Sequence, residues 1–158
     1  MKKILFYFRG IYNGGTEIEA FNLMNKLKGK YEIFFSCEDI ENIDKLMLEK
    51  FEKIGKFTSV YENAKFDTIL FCTQAIKQIS IIKENIKFDK SYFWYHYYSE
   101  NQNKFLQLAL EQLNCDAIIA VSQTSKKNLE QLEFVKGHEN KIVVINNILD
   151  VDKIKEIA

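Results

Sequence analysis

Short apolar runs alternate with amphipathic stretches along the whole chain. Residues 4–8 are apolar at nearly every position, as a strand buried on both faces must be. Residues 16–28 then place Ala20, Phe21, Met24 and Leu27 on one helical face, and Gly29 stands where a C-terminal cap belongs. The same reading predicts strands at 31–37, 57–61, 68–72, 91–98, 117–121 and 142–145. Helices are expected at 43–54, 75–84, 102–113 and from Ser122 to about residue 135. Strand and helix alternate throughout, which specifies an α/β, doubly wound, mostly parallel sheet with helices on both faces.

Residues 1–149 form one domain by this reading. The tail, 150–158, carries Ile154 and Ile157 and reads either as a terminal helix packing on the domain or as the start of an interdomain linker. A length of 158 residues, 47% hydrophobic, suffices for one full core. The net charge of +0 argues against nucleic acid as the main partner, because phosphate binding needs a strongly basic face. Proline is absent and Arg9 is the only arginine, a bias we assign, with the richness in Lys, Ile and Asn, to the genome. Cys37, Cys72 and Cys115 lack the short spacing of zinc or redox pairs and are expected to be buried, reduced thiols. No secretory leader and no apolar stretch of about 20 residues is visible, so a cytoplasmic location is expected. Peripheral contact with the inner face of the membrane stays open.

Candidate chemistry concentrates at two places. Gly14-Gly15 separates the first strand from the first helix, and Thr16 with Glu19 has the spacing of a capping box. A strand, a glycine loop and a helix N-terminus together suit a phosphate-like group. The alternative is a simple turn after Asn13, since the spacing matches neither dinucleotide nor nucleoside-triphosphate loops. Glu17 has no explanation in helix chemistry and would compete with an anion for the helix dipole. The second place is His96, at the carboxyl end of an aromatic strand on which Trp94, His96 and Tyr98 share one face. Hydrogen-bonded core packing is the competing role for it. His138 lies in a polar surface segment, and the two histidines make no metal site. Ser122 lacks a nucleophile elbow and is expected to cap a helix.

Four stretches, in this order, resemble the N-terminal domain of GT-B-fold glycosyltransferases of the retaining group 1 family. They are residues 3–8 with Gly14-Gly15-Thr16-Glu17, Trp94-Tyr95-His96, Ala120-Val121-Ser122 with Lys126-Lys127, and residues 141–150. In the last stretch Asn146 stands where the family usually has proline, and Ile148 where it has glycine. The resemblance implies a Rossmann-like half of a GT-B fold, with the C-terminal donor-binding domain absent and supplied by a missing domain or a partner chain. It implies transfer of a sugar from a nucleotide-sugar donor to a glycan or lipid-linked acceptor, in bacterial cell-surface polysaccharide biosynthesis. No cofactor and no metal is implied beyond the nucleotide-sugar substrate, and the fragment alone is expected to be inactive. Gly14 and Gly15 would approach the donor diphosphate, His96 would act at the reacting sugar, and Glu17 and Tyr98 would shape the acceptor cleft. A non-catalytic doubly wound interaction module, or a nucleotide-binding module with another ligand, is the alternative.

Overall fold

The apolar run after Lys3 lies at the centre of the sheet because both of its faces are covered. In the computed structural model, which describes residues 1–59, 62–73, 79–96, 99–147 and 155–156, it forms strand β1 (Lys2–Phe8). Leu5 and Tyr7 point into one core, and Ile4, Phe6 and Phe8 into the other. The other strands are β2 (Tyr31–Cys37), β3 (Lys56–Phe57), β4 (Lys65–Phe71), β5 (Lys87–Tyr95), β6 (Ala117–Ala120) and β7 (Ile142–Val144). They pair in the order β3-β2-β1-β4-β5-β6-β7, and every described pairing is parallel. The doubly wound parallel sheet expected from the sequence is thus present, with every pairing among the described residues parallel.

Parallel neighbours need crossovers, and the amphipathic segments supply them. Helices α1 (Gly15–Leu27) and α2 (Lys45–Glu52) cover one face through Ala20, Met24, Met47 and Phe51. Helices α3 (Ile79–Asn85), α4 (Glu100–Gln112) and α5 (Gln123–Glu130) cover the other through Ile82, Phe105, Leu106, Ala109 and Leu129. The chain winds outward from β1 to β3, returns to the far side of β1 and winds outward again to β7. That reversal, between β1 and β4, opens a crevice beyond the carboxyl ends of the strands.

Aromatic wedges lock each layer. Phe105 of α4 sits 5.3 Å from Phe71 and 5.6 Å from Phe93, centroid to centroid. On the opposite face Phe51 of α2 sits 5.5 Å from Phe8 and 5.4 Å from Phe35. Gly29 follows the C-cap of α1 with φ +85°, a conformation only glycine adopts without strain, as its position in the sequence implies.

Several boundaries differ from the periodicity reading. Strand β5 starts at Lys87, not residue 91, because Lys65 and Phe66 of β4 pair with Lys87 and Phe88 beyond the apolar run. It ends at Tyr95, so His96 is the first residue past the strand. Strand β3 is two residues long, and residues 60 and 61 of the expected strand lie outside the described residues. So do residues 75–78 of the expected third helix and all of the tail except 155–156, and with them the expected boundary at 149. The helix after Ser122 stops at Glu130 and is followed by a 3₁₀ turn (Glu133–Val135) that buries Val135. Among the described residues no helix is long and apolar enough to cross a membrane.

Phe105→Ala removes a fully buried ring that bridges two strands. We expect a loss of about 3–5 kcal/mol in chemical denaturation of the chain. A loss below about 1 kcal/mol would contradict this packing.

Candidate functional site

The loop after β1 is held by its main chain. The Arg9 N–H donates to Thr73 Oγ1 at 2.6 Å, and the Arg9 carbonyl accepts from Asp39 N–H at 2.7 Å. Ile11 N–H donates to the Asn42 carbonyl at 3.0 Å, and Asp44 N–H to the Ile11 carbonyl at 2.6 Å. These bonds clamp the segment between the ends of β2 and β4 and return the chain to the sheet at Gly14. There α1 begins, above the carboxyl ends of the strands.

The capping box at this point is not the expected one. Helix α1 starts at Gly15, with Gly14 as its N-cap, so the third helical position falls on Glu17 and not on Glu19. Glu17 Oε2 accepts the Gly14 N–H at 3.2 Å, and glycine has no side chain to return the bond. This explains Glu17, which is 3% exposed. Burial pushes its carboxyl above the usual range, opposed by the N–H groups of Glu17, Tyr12 and Gly14. The N–H groups of Gly15 and Thr16 still precede the first intrahelical bond, from Ile18 N–H to the Gly14 carbonyl at 3.1 Å.

The two glycines differ in what requires them. Gly14 has an extended backbone, φ −116° and ψ −179°, that any residue could adopt. A Cβ there would meet Glu17 Oε2 at 3.1 Å, so its smallness makes room for the carboxylate. A Cβ on Gly15 would meet nothing within 4 Å. Packing makes no demand for glycine at position 15, and the space beside it is the crevice.

Two recesses share Gly15 and Thr16. One, of about 220 Å³, is lined by Arg9, Tyr12, Gly14, Glu17 and Thr73 in addition. The other, of about 340 Å³, is lined by Glu19, His96 and Asn147 in addition. Arg9, Thr73, His96 and Asn147 each follow the carboxyl end of a strand, β1, β4, β5 and β7 respectively. The fold thus brings Gly14 and Gly15 together with Glu17 in one recess, and Gly15 alone of the pair together with His96 in the other. Tyr98 lies outside the described residues.

His96 is half-buried, and its ring packs on Trp94 with centroids 4.5 Å apart. Its Nε2 and the Trp94 Nε1 are buried and have no hydrogen-bond partner among the described residues. Buried polar atoms are normally paired, so an orphan on the wall of a recess is a place where a ligand can bond. Burial lowers the imidazole pKa to about 4, so the ring is neutral at pH 7 and offers one donor and one acceptor.

The remaining candidates are structural. Ser122 Oγ accepts the Ser125 N–H at 3.0 Å, capping α5 as expected. Cys37, Cys72 and Cys115 are buried and free of disulfides. Burial raises Cys37 and Cys115 to about 11 and Cys72 well above the ordinary thiol range, so none is a thiolate at neutral pH. Among the described residues no three His, Cys, Asp or Glu cluster as metal ligands would. Asp150 and Asp152, one residue apart, lie outside the described residues.

Arg9, Thr73 and Asn147 line the recesses although the sequence reading assigns them no site role, and Thr16 and Glu19 line them although it marks them as a capping pair. The signal for the first three is position, since each lies one or two residues past an apolar run.

A histidine whose folded pKa is about 4 binds fewer protons than the unfolded chain between pH 4 and about 6.5. Stability should therefore fall as pH is lowered through that window and level off below it. His96→Gln should flatten this part of the profile, measured by denaturation across pH. An unchanged profile would mean that His96 titrates normally.

No protein-family model and no curated protein sequence matches the chain. Solved structures do. Anabaena Alr3699/HepE in complex with UDP matches with TM-score 0.62 at 17% identity, over 95% of this chain and 45% of that one. The UDP-glucose complex gives TM-score 0.64 at 17% identity, over 96% and 45%. The complex with UDP and glucose gives 0.63 at 16% identity, over 96% and 46%. The chain spans less than half the length of these neighbours. The chain therefore shares its fold, a seven-stranded parallel sheet covered by helices on both faces, with about half of each HepE structure.

Proposed function

We propose that this chain is the N-terminal, acceptor-side domain of a retaining glycosyltransferase that uses a nucleotide-sugar donor. The observation that carries the reading is the placement of Gly15 and His96 on one recess, beyond the point where the winding reverses. The HepE structures, which share the fold, hold UDP, UDP-glucose, and UDP with glucose. A glycan or lipid-linked acceptor, a role in bacterial cell-surface polysaccharide biosynthesis and a cytoplasmic site of action complete the proposal. A second half, in the same chain or a partner, supplies most donor contacts, and no cofactor beyond the nucleotide sugar is involved.

In this reading the diphosphate leaving group lies against the free N–H groups of Gly15 and Thr16. Negative charge grows on it as the glycosidic bond breaks, and amides already fixed by α1 stabilise that charge without reorganising. Gly14 keeps its N–H on Glu17, so its part is to let the loop pass close to the ligand. Neutral His96 hydrogen-bonds a hydroxyl of the transferred sugar through Nε2, the nitrogen with no partner among the described residues. Glu17 holds the loop from below, and Tyr98 shapes the acceptor side.

Gly15→Ala separates ligand from fold. Alanine is the better helix former by up to about 1 kcal/mol, and no atom obstructs its methyl group. We expect unchanged or higher thermal stability with UDP binding weakened about tenfold or more in calorimetric titration, as close approach to the amides is lost. Binding of UDP undiminished in Gly15→Ala would overturn the diphosphate site, and no binding of UDP or UDP-glucose by a protein containing both halves would favour a non-catalytic module. In a protein containing both halves, His96→Ala should lower kcat by about 10²-fold while leaving the melting temperature nearly unchanged. A collapse in stability at full specific activity would assign His96 to the core.

A further inference from the structure

We propose that Arg9 is an oxyanion-recognition residue of the smaller recess, fitted to a phosphate or carboxylate group of a substrate. The inference rests on the functional reading above and deepens it. Arg9 is the single arginine of the chain and lines the recess beside Gly14, Gly15 and Thr16. Its structural bonds run through its main chain, to Thr73 Oγ1 and from Asp39 N–H, and any residue would supply them. The fold therefore does not require an arginine side chain here. No ion pair to it is found among the described residues, although the buried carboxylate of Glu17 lines the same recess.

Glu17 is instead committed to the Gly14 N–H, which leaves the guanidinium available. A guanidinium presents two parallel N–H groups that match the two oxygens of a phosphate or carboxylate, a geometry an ammonium cannot reproduce. Gly15 and Thr16 line the same recess, so an oxyanion there has main-chain amides as well as the guanidinium within its walls. Its source is either the donor diphosphate or an anionic group on the acceptor.

The test compares the wild-type chain with Arg9→Gln and Arg9→Lys by calorimetric titration with UDP, inorganic pyrophosphate, glucose 6-phosphate and glucose. Melting curves of the variants should match wild type, since the main-chain bonds persist. Arg9→Gln should weaken binding of at least one anion by about tenfold or more, with Arg9→Lys recovering only part of the loss. A loss confined to UDP and pyrophosphate identifies the donor diphosphate. A lost preference for glucose 6-phosphate over glucose, with UDP unchanged, identifies the acceptor. Equal affinities of wild type and Arg9→Gln for all three anions would overturn the proposal while UDP binding by wild type leaves the functional reading intact. Wild-type binding of pyrophosphate that depends on Arg9, without any binding of UDP, would sink the functional reading and keep the oxyanion site. Failure of wild type to bind any of the anions would end both.

Discussion

Burial of both faces of a parallel sheet is the constraint on which the rest of this structure depends. Strand β1 has no polar side chain between Ile4 and Phe8 apart from the buried hydroxyl of Tyr7, so each face must be covered. Parallel pairing forbids tight hairpins and forces a crossover after each strand, and the crossovers are the covering layers. Two helices on one face and three on the other exhaust the amphipathic segments described. Reversal of the winding at β1 and β4 follows, and the loops on either side of the reversal diverge. The crevice that results is a by-product of solving the burial problem, and the candidate chemistry collects there.

Much of this is legible in the amino-acid order because apolar runs and helical periodicity are strong signals. Residues 31–37 are read without error, since both strand ends coincide with the ends of the apolar pattern. The amino end of β5 is not, because Lys87 to Lys90 are held by pairing with β4 and not by their own burial. Backbone ladders extend into polar sequence wherever a neighbouring strand is available, and composition carries no trace of this. The Gly14-Gly15 loop and His96 are visible as candidates, and their shared recess is not, since 80 residues separate them in the chain.

The cap of α1 shows how a two-residue shift changes a chemical assignment. Thr16 with Glu19 has the ideal spacing, yet the helix starts earlier and selects Glu17. Hydroxyl capping is worth about 1 kcal/mol, a small preference beside the packing of Ala20 and Met24 that sets the helix position. The displaced reading gives Glu17 a structural task without taking it out of the recess. Its carboxylate is buried and accepts the Gly14 N–H, burial favours its neutral form, and the two amides after Gly14 border the same recess.

The manner in which the first loop is fastened has an evolutionary corollary. Because position 9 is moored by peptide groups alone, mutation can explore side chains there at little cost to folding. Selectivity can drift at such a locus while the scaffold stays intact, so homologues sharing this framework can diverge in the molecules they accept. Position 17 has no such latitude, since its carboxylate is wedged against the turn it stabilises.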